Sequence, residues 1–167
     1  MNGFFVRTAG AADLAGVSAL LRATWHATYD DLYGVDRVRE ISASWHGVDE
    51  LKKHLKRPRS EFLVADDGRR LGGMAFAAAG PADPHVVFLH QLYVLPELQG
   101  QGIGRDLLSE IVTSFPQADR MQLEVEKQNA RAIDFYLQAG FREIGVTAHC
   151  GTTGSDIPAL VLEKRLN

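Results

Sequence analysis

"LYVLPELQGQGIGRDLL", residues 92–108, starts as a strand, ends as a helix, and carries three glycines two positions apart in between. Pro96 supplies no ladder N–H, so strand pairing has to stop before it. Gly100, Gly102 and Gly104 allow backbone angles that other residues resist, and they leave no side chain between backbone and ligand. The following helix leaves its first N–H groups without intrahelical partners. Those donors, with the positive end of the helix dipole, make a seat for a phosphate, and Arg105 adds a charge at the same place. Two well-known phosphate loops do not fit. A Walker loop ends in Gly-Lys-Ser/Thr, whereas Gly104 precedes Arg105-Asp106. A dinucleotide fingerprint needs a glycine where Arg105 stands. On residues alone, the loop is either an anion seat or a flexible strand-to-helix turn.

Working outward, "HVVFLHQLYV" at 85–94 is the longest β-like run. After the loop, Ile103, Leu107, Leu108, Ile111, Val112 and Phe115 share one helical face, and Pro116 ends it. "MQLEVE" alternates as a strand. "NARAIDFYLQAG" reads as a helix that starts at Asn129 and stops at Gly140. "FREIGVTAHC" and "IPALVLEKRL" supply two more strands. Upstream, residues 3–8 form a first strand, and Leu14, Val17, Leu20, Leu21 and Trp25 fall at helical spacing behind Asp13. A second helical stretch from Asp36 places Val38, Ile41, Trp45, Val48, Leu51 and Leu55 at steps of three and four. Gly47 breaks this stretch, Asp49 is expected to cap the second part, and Pro58 stops it. Two apolar runs around Asp67-Gly68 signal a hairpin. The expected architecture is a single α/β (α+β) domain over residues 1–167. Its mixed, mostly antiparallel sheet has about seven strands and is flanked by helices.

The 167 residues suit one domain, and 46% hydrophobic with 23% charged residues supports a folded core. A net charge of −3 argues against a general nucleic-acid binder. The one cysteine, Cys150, excludes an internal disulfide framework and a cysteine-based zinc cluster. There is no apolar run of membrane-spanning length and no signal-like start, so a cytoplasmic protein is expected.

The chain resembles the GNAT family of N-acetyltransferases. The family's Gln/Arg-x-x-Gly-x-Gly/Ala signature is matched by Gln99-Gly100-Gln101-Gly102-Ile103-Gly104, approached through "LYVLPE". Its Asn-x-x-Ala-x-x-Phe-Tyr-x-x-x-Gly-Phe segment is matched by "NARAIDFYLQAGF", residues 129–141. The resemblance is strong over 88–141 and rests on pattern alone over 1–60.

It implies a splay between the fourth and fifth strands that admits pantetheine. Leu92, Tyr93 and Val94 would face the pantetheine arm through backbone groups. Gln99, Gly100, Gln101, Gly102, Ile103, Gly104 and Arg105 would wrap the pyrophosphate. Asn129 would reach the pantetheine, and Phe135 and Tyr136 would lie near the thioester. The implied reaction is direct attack of a primary amine, of a small molecule or peptide, on the acetyl-CoA carbonyl in a ternary complex. A backbone N–H near Val94 is the expected oxyanion donor. Tyr136 is the candidate proton donor to the departing thiolate; packing of Phe135 and Tyr136 is the plainer alternative. The base is open. Phe88 stands where some members carry a glutamate, which leaves His90, Glu124 or a water chain. That substitution also keeps alive a CoA-binding sensor without chemistry. Family members commonly pair, so a homodimer is among the expectations.

On the acceptor side, Trp25, His26, Tyr29, Asp30, Asp31, Tyr33, Trp45 and His46 could receive an amine. Helix packing is the plainer account of Trp25, Tyr29 and Trp45, and a solvated loop that of Asp30 and Asp31. No metal is called for: His85 and His90, five apart on a strand, point to opposite faces. Cys150 has no surrounding His/Asp arrangement that would make it a nucleophile.

Overall fold

The apolar spacing behind Asp13 winds Leu14–Tyr33 into the first helix, α1, with Leu14, Val17, Leu20, Leu21, Trp25 and Tyr29 buried. A computed structural model of the chain describes residues 2–150 and 156–167. Its strands are β1 (Phe5–Thr8), β2 (Ser60–Asp66), β3 (Leu71–Ala79), β4 (Val86–Val94), β5 (Arg120–Glu126), β6 (Arg142–Thr147) and β7 (Ala159–Arg165). The other helices are α2 (Val35–Trp45), α3 (Val48–Lys56), α4 (Ile103–Ser114) and α5 (Ala130–Gln138). The strands form one seven-stranded sheet in the order β1-β2-β3-β4-β5-β7-β6. The β4–β5 pair is parallel, and the sheet is mixed and mostly antiparallel, as the sequence implies.

The chain divides into two compact units. The first holds the chain up to Phe76 together with Gln91–Ser114. Here β1 pairs antiparallel with β2, from Phe5 opposite Asp66 to Thr8 opposite Leu63. Leu14, Val17, Leu20, Leu21, Leu51, Phe62, Val64, Met74 and Phe76 make its core, with Tyr93 and Leu95 packed against them. Gly73 lets α4 sit close to β3. A Cβ there would lie 2.9 Å from the Tyr93 carbonyl oxygen and 3.0 Å from Leu107 Cδ1, closer than atoms approach without displacement. Arg7 fastens the start of the unit, donating to Asp13 at 2.8 Å and to Asp66 at 3.0 Å.

The second unit holds Ala77–His90 and the chain from Phe115 on. Parallel pairing joins Val86–Leu89 of β4 to Arg120–Leu123 of β5. β5 alternates as its sequence reads, with Met121, Leu123 and Val125 buried and Glu124 exposed. It pairs antiparallel with β7 along its whole length, and β6 lies on β7 with an irregularity between Glu143 and Gly145. Asn129 caps α5 by accepting from the Ala132 N–H at 3.2 Å. Gly140, at φ 97°, ends it.

Two local expectations are corrected. Gly47, not Asp49, is the N-cap of α3: it is extended, and its carbonyl accepts from the Leu51 N–H at 3.1 Å. Asp49 and Glu50 fall in the first turn, where they suit the dipole instead. The break at Gly47 also resets the helical phase. Val38 and Leu51 are therefore buried while Val48 and Leu55 are each 37% exposed.

Candidate functional site

The end of β4 and the start of α4 are joined by a loop that its own side chain holds in shape. Gln99 Nε2 reaches back to donate to the Val94 carbonyl at 3.0 Å. Between them, Pro96–Leu98 make one 3-10 turn. The Gln99 backbone N–H donates to the Pro96 carbonyl at 3.3 Å, so it is engaged inside the loop and is not one of the anion-facing amides expected. Beyond it, Gly100 and Gly102 have φ of 81° and 94°. Gln101 between them is not left-handed. Such alternation turns successive N–H groups toward one side, the geometry of an anion-binding nest. Gly104, by contrast, lies in α4 without a positive φ.

The backbone N–H groups of Gly100, Gln101, Gly102, Ile103, Gly104 and Arg105 have no acceptor among the described residues. The first amide to bond is Asp106, to the Gly102 carbonyl at 3.0 Å. A Cβ at Gly102 would meet only Asn2 Nδ2, at 3.7 Å. Arg105 is exposed, and among the described residues no carboxylate pairs with it. Clustered amide donors, a helix N-terminus and an uncommitted guanidinium fit the charge and hydrogen-bonding needs of a diphosphate. Sequence reasoning missed one supporting residue. Asn2 Nδ2 donates to the Gln101 carbonyl and to Asp106 Oδ2, each at 3.2 Å. Nothing local in "MNGFF" signals a partner 99 positions away.

Leu92, Tyr93 and Val94 are half-buried in β4. The Tyr93 hydroxyl accepts the indole N–H of Trp25 at 3.2 Å. Trp25 also stacks at a tilt on Tyr29, centroids 4.5 Å apart, and meets Trp45 edge-on at 5.3 Å. Trp25 and Tyr29 are therefore core residues. His46 is core as well: its Nδ1 lies 2.7 Å from Ser42 Oγ, and burial pushes its pKa down to about 4. Of the acceptor-side candidates, His26 pairs with Asp30 at 2.7 Å, Tyr33 carries Arg37 over its ring, and Asp31 is exposed.

In the second unit, β4 presents Phe88 half-buried and His90 exposed, their ring centroids 6.3 Å apart. Glu124 is exposed, whereas Glu126 is buried and accepts from the Gln128 N–H at 2.7 Å. Asn129 Oδ1 serves as the helix cap. Tyr136 is 8% exposed, with Phe135 edge-on at 5.2 Å and Phe141 at 5.5 Å. These ring contacts pack Tyr136 against its neighbours, the alternative to the proton-donor role. Cys150 is half-buried, and burial, reinforced by Glu124 and Glu126, pushes its pKa up to about 12. It is a thiol at neutral pH rather than the reactive thiolate.

Sequence reasoning assigned no role to His54 or Gln91. His54 Nε2 lies 3.1 Å from Gln91 Oε1, and the imidazole stacks on Phe76 with centroids 3.9 Å apart. Burial holds this histidine below its ordinary pKa. Its helical step from buried Leu51 was the available signal, obscured by the lysines around it.

These features define an α/β fold with an amide-rich loop between a strand and an amphipathic helix. The model of the acetyltransferase (GNAT) family matches residues 20–141, and the chain belongs to that family. It is 33% identical over 95 residues to N-alpha-acetyltransferase RimI of Mycobacterium tuberculosis, covering 56% of this chain and 60% of that protein. It is 32% identical over 143 residues to mycothiol acetyltransferase of Jonesia denitrificans, covering 81% of this chain and 42% of that protein. The chain thus spans less than two thirds of the length of both relatives. Among solved structures, PaiA N-acetyltransferase from Thermoplasma acidophilum, in complex with coenzyme A, superposes with a TM-score of 0.84. That match has 23% identity and covers 97% of this chain and 98% of that one. Among the described residues, no helix is long and apolar enough to cross a membrane.

Proposed function

We propose that this chain, acting as one domain over residues 1–167, transfers an acetyl group from acetyl-CoA to a primary amine of a small molecule or peptide. The attack is direct, in a ternary complex, and the setting is the cytoplasm. The observation that carries the reading is the run of six amide N–H groups, Gly100 through Arg105, without acceptors among the described residues. Membership of the family supports the same chemistry.

Acetyl-CoA, when bound, supplies an activated acyl carbon. The residues that would hold it are Gly100–Arg105 at the diphosphate and the backbone of Leu92, Tyr93 and Val94 along pantetheine. Gln99 contributes by fixing the loop through its side chain rather than by its amide. Asn129 and Phe135 complete the pantetheine side by analogy with the family. The incoming ammonium has to shed a proton before its nitrogen can attack, because such groups hold theirs to about pH 10. His90 is assigned that proton, since a histidine accepts one at neutral pH. The backbone N–H near Val94 stabilises the oxyanion. As the C–S bond breaks, Tyr136 gives its proton to the departing sulfur. The expectation of a homodimer rests on the family resemblance alone.

The test is thiol release from acetyl-CoA with a panel of amines, alongside thermal shift with coenzyme A. Turnover with at least one amine supports the enzyme. Stabilisation by coenzyme A without turnover on any amine would establish the sensor reading that Phe88 keeps open.

A further inference from the structure

Gln91 and Tyr93 stand two apart on β4, so their side chains leave the same face of the strand. Two helices of the first unit meet that face. α1 brings Trp25 to the Tyr93 hydroxyl, and α3 brings His54 to Gln91 Oε1. The second contact is the unusual one. With Oε1 turned to the imidazole, His54 Nε2 carries the proton and donates it. The ring has little freedom to move. It lies flat on Phe76, 11° from parallel, and Phe62 closes on it edge-on at 5.8 Å.

His54 therefore fixes which way the Gln91 amide faces. Its carbonyl end is committed, while its two N–H donors have no acceptor among the described residues. Nor are those donors sealed in, because no fully buried side-chain nitrogen or oxygen among the described residues lacks a partner. They are thus oriented, open to an incoming group, and placed next to Leu92–Val94, the segment assigned above to the acyl donor.

We propose that Gln91 positions the acyl acceptor: its side-chain N–H groups take a carbonyl or carboxylate oxygen carried beside the amine, and His54 is the positioning residue that aims them. The substrate class this selects is an α-amino carbonyl compound, such as an amino-acid amide or a peptide N-terminus, rather than a plain alkylamine. This deepens the acetyltransferase reading and rests on it. The clamp is also electrostatically apt. Burial, the largest influence, holds the His54 pKa below its ordinary value against the Gln91 hydrogen bond, which favours protonation, with Arg57 opposing and Glu50 favouring it more weakly. An uncharged clamp does not repel an approaching ammonium.

The test compares alaninamide with isopropylamine, which lacks the carbonyl, by kcat/KM in the intact protein. Their different basicities cancel when the ratio of the two is compared between variants. Gln91→Leu is expected to lower the alaninamide-to-isopropylamine ratio about tenfold, the worth of one well-made hydrogen bond, mainly through KM. His54→Leu is expected to follow it, and His54→Gln, which keeps an N–H near the Nε2 position, to restore most of the ratio. Coenzyme A thermal shifts verify that each variant is folded and binds. An unchanged ratio in Gln91→Leu overturns the proposal, and a His54→Gln protein no better than His54→Leu overturns the clamp. Turnover confined to spermidine, which has no carbonyl, refutes the substrate class and leaves acetyl transfer standing. No turnover with any of the three overturns the substrate class, and acetyl transfer itself is then decided by the wider amine panel and the coenzyme A thermal shift.

Discussion

The indole N–H of Trp25 and the phenol oxygen of Tyr93 meet at 3.2 Å, tying α1 to the last residues of β4. Trp25 is only 4% exposed, so this donor has little access to water. Tyr93→Phe keeps the ring and removes the acceptor. It is expected to destabilise the protein by about 1–3 kcal/mol, the cost of stranding a buried polar group. Urea unfolding measures it; a midpoint equal to that of the parent protein would show that the bond contributes nothing.

Gly102 sits at φ 94°, and a Cβ there has room in space. The difficulty of Gly102→Ala is therefore one of backbone angle, worth about 1–2 kcal/mol. Because the loop is at the surface, relaxation should rotate the amides away and leave the global fold intact. The expected result is a nearly unchanged melting temperature without ligand and a much reduced shift on adding coenzyme A.

Gly73 tests close approach instead. Its neighbours are the Tyr93 carbonyl oxygen and the side chains of Leu107 and Ile103, and the first is backbone that has no rotamer to change. Gly73→Val is expected to cost about 1–3 kcal/mol or more through overpacking, and to weaken coenzyme A binding by displacing α4. Calorimetry and ligand titration on the same sample check both halves.

Acid should expose the Arg7–Asp13 pair. The Arg7 hydrogen bond holds the Asp13 pKa below the usual carboxylate value, with the Gly10 N–H assisting. A depressed native pKa means stabilisation that is present above the unfolded value and lost as pH falls through the folded one. Stability should therefore decline below about pH 4, the ordinary aspartate range. Asp13→Asn should lose stability at neutral pH and show a shallower acid decline. Parallel acid curves for the two proteins would refute the assignment.

Tyr136→Phe preserves the contacts with Phe135 and Phe141 while deleting the proton. If Tyr136 protonates the thiolate, kcat falls by about 10²-fold or more while the variant still folds and binds coenzyme A. His90→Gln tests the base separately: the acid limb of the pH–rate profile should be depressed, and an unaltered limb discards that role.

Much of the fold was legible because periodicity and punctuation agree. Asn129 and Gly140 bracket α5 as their chemistry suggests, and alternation in "MQLEVE" matches the burial of Met121, Leu123 and Val125. The glycine loop was legible because its backbone angles at Gly100 and Gly102 call for glycine, and glycine advertises backbone. What escaped were side-chain contacts made at long range. His54 was hidden among lysines at a helix end, and no spacing rule links it to Gln91, 37 residues on. Asp49 misled because an acidic residue near a helix start suits both the cap and the first turn, and only the angles of Gly47 decide between them.

The two hydrogen bonds from Asn2 have a practical consequence. Asn2 serves as a guy-line to the glycine-rich curve, so how this side chain is held is mechanically coupled to how that curve is held. Asn2→Ala should therefore loosen that curve and cost coenzyme A retention before it costs folding.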